Sequence, residues 1–240
     1  MSDKPLLEWT PSRRQFIAAT SVTTAIGVMP FWLHAAETEA AQPVAVPLEQ
    51  YQPEYFEALE WAFIIAATAR LIPSEGEGPG AYEARVPVFI DRQLAGSYGV
   101  AADWYMQGPH NPNADPAQGY QTPLNPKQIY RQAIATVNIW CEQAYGKRFD
   151  GLEPAQQDDV LSGLQQGVVK LDAQLRDFFT LLLSNTKEGY FSDPMYGGNH
   201  NMLAWSYIGF PGARASFKEW AAQHNVAYPL GPVSISGRRA

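Results

Sequence analysis

The chain has 240 residues and a formal net charge of −7, with 46% hydrophobic and 17% charged residues. It is too apolar for disorder, too lightly charged for a coiled coil, and long enough for one domain with a sizeable core. The negative charge argues against a nucleic-acid partner or an anionic membrane surface, and one cysteine with four histidines excludes an internal disulfide framework, a cysteine-rich zinc site and an iron–sulfur cluster.

Residues 1–41 read as an export address. Arg13 and Arg14 stand together two residues before Phe16, and a weakly apolar stretch runs from Phe16 to Leu33. Small residues follow at Ala35, Ala36, Ala40 and Ala41. This order marks a secretory signal peptide, and the arginine pair points to the Tat route, which exports folded proteins to the periplasm. The leader carries a net −1, which leaves −6 on residues 42–240, the expected mature domain.

Pro43, Pro47 and Pro53 make an extended lead-in. A helix is expected over 54–71, with Phe56, Leu59, Phe63, Ala67 and Leu71 on one face, and Pro73 stops it. A turn-rich loop, Ser74 to Gly80, leads to a second helix over 81–94, with room for a bend at Pro87. Five prolines make 100–126 a loop. Asn125-Pro126 then starts a third helix over 127–145, closed by Gly146. Pro154 opens a fourth helix. A fifth is expected over 171–187, with Gly189 as its C-cap signal. After a Gly/Asn/Pro-rich loop, short helices are expected over 202–208 and 213–224, with an irregular tail from Pro229. No segment alternates cleanly with a period of two, so the fold class is all-α, one helical domain with long Gly/Pro-rich loops.

The sequence contains no dinucleotide-binding turn, haem-attachment motif, zinc-protease motif or nucleophile elbow. No catalytic, cofactor-binding or metal-ligating residue is therefore assigned. His110, His200 and His224 lie far apart in sequence. Asp158 and Asp159 are adjacent on a helix, point apart, and read as solvated surface. Cys141 has two readings. It shares a helical face with Val137 and Ile134, as a small core residue would, but an odd cysteine in an exported protein also suggests a disulfide to another chain.

Two stretches are more specific than their composition requires. One runs from Leu71 through Ser74-Glu75-Gly76-Glu77-Gly78-Pro79-Gly80-Ala81 to Leu94; the other runs from Gly189-Tyr190-Phe191-Ser192-Asp193-Pro194-Met195-Tyr196-Gly197-Gly198-Asn199 through Trp205 to Gly212. With the twin-arginine leader, they resemble the gluconate 2-dehydrogenase subunit 3 family from Arg13 to about Gly212. Glu75 and Arg85 depart from the family pattern, which favours Asp and Gly there.

The resemblance implies a non-catalytic small subunit without a cofactor of its own. Its partners would be a flavin-dependent large subunit of the glucose-methanol-choline type, which holds FAD, and a multihaem cytochrome c. The small subunit would escort the large one through the Tat translocon. Gly78, Pro79, Gly80, Tyr82, Tyr190, Phe191, Tyr196, Gly197, Gly198 and Asn199 are the candidate partner contacts: glycine permits close backbone approach, and the aromatic rings supply flat area. The alternative is a self-sufficient periplasmic enzyme or ligand-binding protein that uses the Asn199–His200 loop.

Overall fold

A computed structural model describes residues 46–240, apart from Pro112 and Ala227. The expected leader, with Arg13, Arg14 and Phe16, lies outside the described residues. Among those residues there are six α-helices and no strand; only isolated bridges, such as Glu75–Gly78 and Gly212–Val233, pair backbone in the β manner.

Helix α1 spans Ala58–Leu71. The backbone N–H of Glu57 donates to the Glu60 carboxylate at 2.9 Å, which gives an orphan donor at its N-terminus a partner. Its buried face is Phe63, Ile64, Ala67 and Thr68. Leu59, expected on that face, is 55% exposed, while Phe56 is buried from the lead-in just before the helix.

Helix α2 spans Val86–Ala95 and starts five residues later than its periodicity predicts. Residues 81–85 form hydrogen-bonded turns, and Arg85 has a left-handed backbone with φ 57°. Pro87 therefore sits in the first turn, where its missing N–H costs nothing, and produces no bend in mid-helix. Asp91 of α2 is fully buried. It accepts from the backbone N–H groups of Glu54 (2.7 Å), Tyr55 (3.0 Å) and Phe56 (3.1 Å) and from the Tyr51 hydroxyl (3.0 Å), so one carboxylate fixes the lead-in.

Helix α3, Pro126–Tyr145, has the predicted ends. Asn125 Oδ1 accepts from Gln128 N at 3.0 Å, and Gly146 closes the helix at φ 73°. Helix α4 spans Pro154–Gln166. Asp158, expected to be solvated, chelates Arg70 through two bonds of 2.7 and 2.6 Å.

Helix α5 spans Phe178–Phe191 and does not begin at Leu171; a separate 3-10 turn at Ala173–Leu175 precedes it. Gly189 is no C-cap. It lies inside α5 against Phe89 of α2, where a Cβ would stand 2.8 Å from the ring, so the missing side chain lets the two helices approach. Helix α6 spans Leu203–Ile208. The helix expected over 213–224 is reduced to one 3-10 turn, Lys218–Trp220. Arg214 lies over Phe217 and Tyr228 there and pairs with Glu219, and these local contacts replace a helical ladder.

The core is an aromatic relay. Phe63 meets Phe149 at 4.6 Å and Phe178 at 6.3 Å, and Phe178 meets Tyr130 edge-on at 5.5 Å. All four are fully buried. Each such side chain contributes about 1.5–3 kcal/mol through loss of apolar surface from water. The polar groups this burial takes along are paired: the Tyr130 hydroxyl donates to Asn185 Oδ1 at 2.7 Å, and Phe149 N donates to Asn138 Oδ1 at 3.1 Å.

Candidate functional site

The first loop is shaped by its own backbone. Glu75 and Gly78 exchange N–H···O bonds of 3.2 and 2.9 Å, and Ala81 N returns to Ile72 O at 2.8 Å. Glu83 closes the turn by accepting from Ser74 Oγ at 2.7 Å and from Gly80 N at 3.0 Å, and the Ser74 bond is first among the causes that lower its pKa. A Cβ on Gly80 would stand 2.7 Å from Ser74 N, so that position tolerates only glycine.

The second loop is held by polar side chains aimed at backbone. Asp193 accepts from Met195 N at 3.1 Å and from Ile235 N at 2.6 Å, which docks the C-terminal tail. Asn199 is fully buried at φ 43°; its amide donates to Ser192 O at 2.9 Å and accepts from Ala204 N at 3.0 Å. Trp205 Nε1 donates to Phe191 O at 2.9 Å. A Cβ on Gly198 would stand 2.1 Å from Gly189 O.

Two bonds join the loops. The Tyr190 hydroxyl donates to Pro79 O at 2.6 Å, and His200 N donates to Ala84 O at 3.1 Å. Stretches more than a hundred residues apart thus form one surface, and the predicted contact set divides on it. Gly80, Tyr190, Gly198 and Asn199 are buried and serve the packing of the loops; Gly78, Pro79 and Gly197 are intermediate. Tyr82, Phe191 and Tyr196 are exposed.

Beside them lie apolar side chains that the sequence reading did not select: Met195 (57% exposed), Tyr207 (58%), Ile208 and Phe210. Tyr207 reaches the first loop, since a Cβ on Gly78 would meet its ring at 3.1 Å. A signal was present. Helix α6 is six residues long and mostly apolar, yet so short a helix buries only one side, here Ala204 and Trp205. At the edge of this surface, Trp205, Phe210, Pro211, Tyr228 and Pro232 line a groove of about 370 Å³.

The other sequence candidates sit elsewhere. Cys141 is a free thiol at 0% exposure in the core, and burial pushes its pKa up to about 11. That placement matches the core reading; a disulfide to another chain would require α3 to open. His110 lines a separate cleft with Trp104, Tyr105 and Tyr120. His200 is half-buried, and its pKa is lowered first by burial and then by Arg85 and Arg238. Among the described residues, no three His, Cys, Asp or Glu side chains are grouped to hold a metal ion, and no helix is long and apolar enough to cross a membrane. Both amide atoms of Asn199 are engaged by backbone, so its side chain is committed to holding the loop.

No curated protein and no solved structure gives a significant match. The family model described as gluconate 2-dehydrogenase subunit 3 matches residues 58–212. That span begins at α1 and ends just beyond α6, so it contains both loops and the bonds between them. The chain belongs to the gluconate 2-dehydrogenase subunit 3 family.

Proposed function

We propose that this chain is the small accessory subunit of a flavin-dependent dehydrogenase of sugars, polyols or sugar acids. It binds the glucose-methanol-choline-type large subunit, which holds FAD and performs the oxidation, and it carries that subunit through Tat export to the periplasm. A multihaem cytochrome c takes the electrons onward at the inner membrane. In this reading the chain contributes surface and an export address, with no cofactor of its own.

The observation that carries the reading is the joined loop face. Tyr82, Phe191, Met195, Tyr196, Tyr207 and Phe210 present aromatic and thioether area outward. The loops beneath them are locked by Asn199, Asp193, Trp205 and Tyr190. Exposed aromatic and methionine side chains on a rigid support are what a protein interface concentrates at its centre, because little conformational entropy remains to be lost on binding.

The test is a pull-down of the tagged full-length chain from solubilised membranes, with the bound chains identified and their flavin and haem absorbance recorded. A flavoprotein and a cytochrome in the bound fraction are expected. Replacing Arg13 and Arg14 together by Lys should leave the flavoprotein in the cytoplasm. A flavoprotein that reaches the periplasm regardless would end the escort role.

A further inference from the structure

The loop face carries a charge that the rest of the chain does not suggest. Arg92, on α2, lies across Gly197: a Cβ there would meet Arg92 Cδ at 3.2 Å. Arg85 adjoins Ala84, whose carbonyl accepts from His200 N at 3.1 Å. Arg238 closes the tail turn that docks on the same loop through Ile235 N and Asp193, and its N–H donates to Ser234 Oγ. His200 feels both Arg85 and Arg238, and Arg85 feels Arg92. Arg92 thus lies against Gly197, and Arg85 and Arg238 lie near enough to act on His200, in a chain whose net charge is −7.

None of the three arginines forms an ion pair among the described residues; the pairs there involve Arg70, Arg131, Arg148, Arg176 and Arg214. The nearby carboxylates take their hydrogen bonds from neutral donors, although Glu49 also feels the charge of Arg85. Asp91 receives four bonds from the lead-in, Asp193 receives Met195 and Ile235 N–H, and Glu49 receives the Tyr82 hydroxyl. The Arg85 guanidinium donates to the Val46 carbonyl and lies near the Glu49 carboxylate without forming a salt bridge to it. Arg85 also holds a left-handed backbone at φ 57°, which is strained for a non-glycine residue. A cationic cluster that forms no salt bridge among the described residues, on a strained scaffold and bordered by exposed Tyr196 and Met195, is arranged to meet an anion.

We propose that Arg85, Arg92, Arg238 and His200 form the electrostatic half of the partner interface and receive an acidic surface segment of the flavoprotein subunit. The inference rests on the accessory-subunit reading and names the chemistry of the partner's contact. Guanidinium forks bind carboxylates bidentately, so the cluster fixes the orientation that the aromatic face cannot fix alone. A protein fits better than an anionic lipid surface. The cations are arginines interleaved with aromatics, the composition of protein interfaces, and residues 42–240 carry a net −6 that a negative membrane would repel.

The test uses the full chain and the flavoprotein captured in the pull-down. Arg92→Glu with Arg238→Glu should weaken association by about 100-fold, and the milder Arg92→Gln with Arg238→Gln by about 10-fold. Lys147→Glu with Lys170→Glu, an equal charge change remote in sequence from both loops, should stay within about 2-fold. Added salt should weaken the native pair more than the glutamine variant. Unfolding midpoints are compared so that a folding defect in the glutamate pair is recognised, and the glutamine pair then decides.

If native and arginine variants bind the flavoprotein equally, this inference is wrong and the accessory reading stands. If the native chain captures no flavoprotein, both fall together. If the native chain binds phosphatidylglycerol vesicles, and the arginine variants lose that binding while keeping the flavoprotein, the cluster is a lipid site and the inference is overturned.

Discussion

Phe63, Phe149 and Phe178 in the core, and Phe191, Tyr196 and Phe210 on the loop face, are the same kinds of side chain in opposite situations. In the core the rings themselves make the order: they stack at 4.6 to 6.3 Å and lose all contact with water. On the loop face the order comes from polar side chains that bond backbone, and the rings are left outside. Asn199 alone replaces two backbone partners, and Trp205 and Tyr190 each hold a carbonyl. Where backbone is pinned by buried amides, large apolar side chains are not needed for folding and are free to serve contact with another molecule.

The strongest way to break this contrast is Phe178→Ala, which should cost about 3–5 kcal/mol in urea unfolding, the usual result of emptying a packed aromatic site. Cys141 reports on the same core. In the native protein a thiol reagent should reach it only through opening, and Phe178→Ala should raise that labelling by about 100-fold or more. Rapid labelling of the native chain would show that the thiol is not enclosed.

A smaller effect is expected at the support of the loop face. Asn199→Ala loses two bonds and keeps the left-handed strain, for about 2–3 kcal/mol. Asn199→Gly should recover about 1 kcal/mol of that, because glycine adopts positive φ freely. Equal stabilities for the two would mean that the backbone is not strained at this point.

Smaller still in stability is Phe191→Ser with Tyr196→Ser, expected within about 0.5 kcal/mol of the native protein. The same pair should weaken capture of the flavoprotein by about 10-fold or more. A large loss of stability would move these rings from the contact side of the comparison to the packing side.

The smallest effect is the pH response at His200. Its pKa is lowered in the fold from 6.5 by burial and by Arg85 and Arg238, so the unfolded chain takes up the proton first. Stability should hold above about pH 6.5 and fall as pH drops through that value. In His200→Gln the decline should be shallower, measured as urea midpoint against pH.

The helices were legible where local chemistry decides them. Asn125-Pro126 and Gly146 bound α3 as predicted, because capping depends on neighbours in sequence. The start of α2 was not, since Arg85 takes a backbone normally left to glycine and shows no local sign of it. Gly189 misled for a related reason. Glycine signals both a helix end and a close approach, and only the position of Phe89 tells which. The loop face was half legible: its aromatic residues stood out, but Tyr190 points inward and Tyr207 outward through the packing of α5 and α6, which lies beyond sequence spacing. The arginine cluster was invisible because Arg85, Arg92 and Arg238 meet only through folding.

Asp91 has a mechanical meaning. Three successive amides and a tyrosine hydroxyl from residues 51–56 converge on one carboxylate in the middle of α2. Tension applied from the N-terminal side of the chain first meets the contacts of Val46, Leu48 and Glu49, and behind them these four bonds to α2. Because they converge on one side chain, Asp91 acts as a cleat: a pull that reaches residues 51–56 is delivered to α2, the helix that carries Arg92.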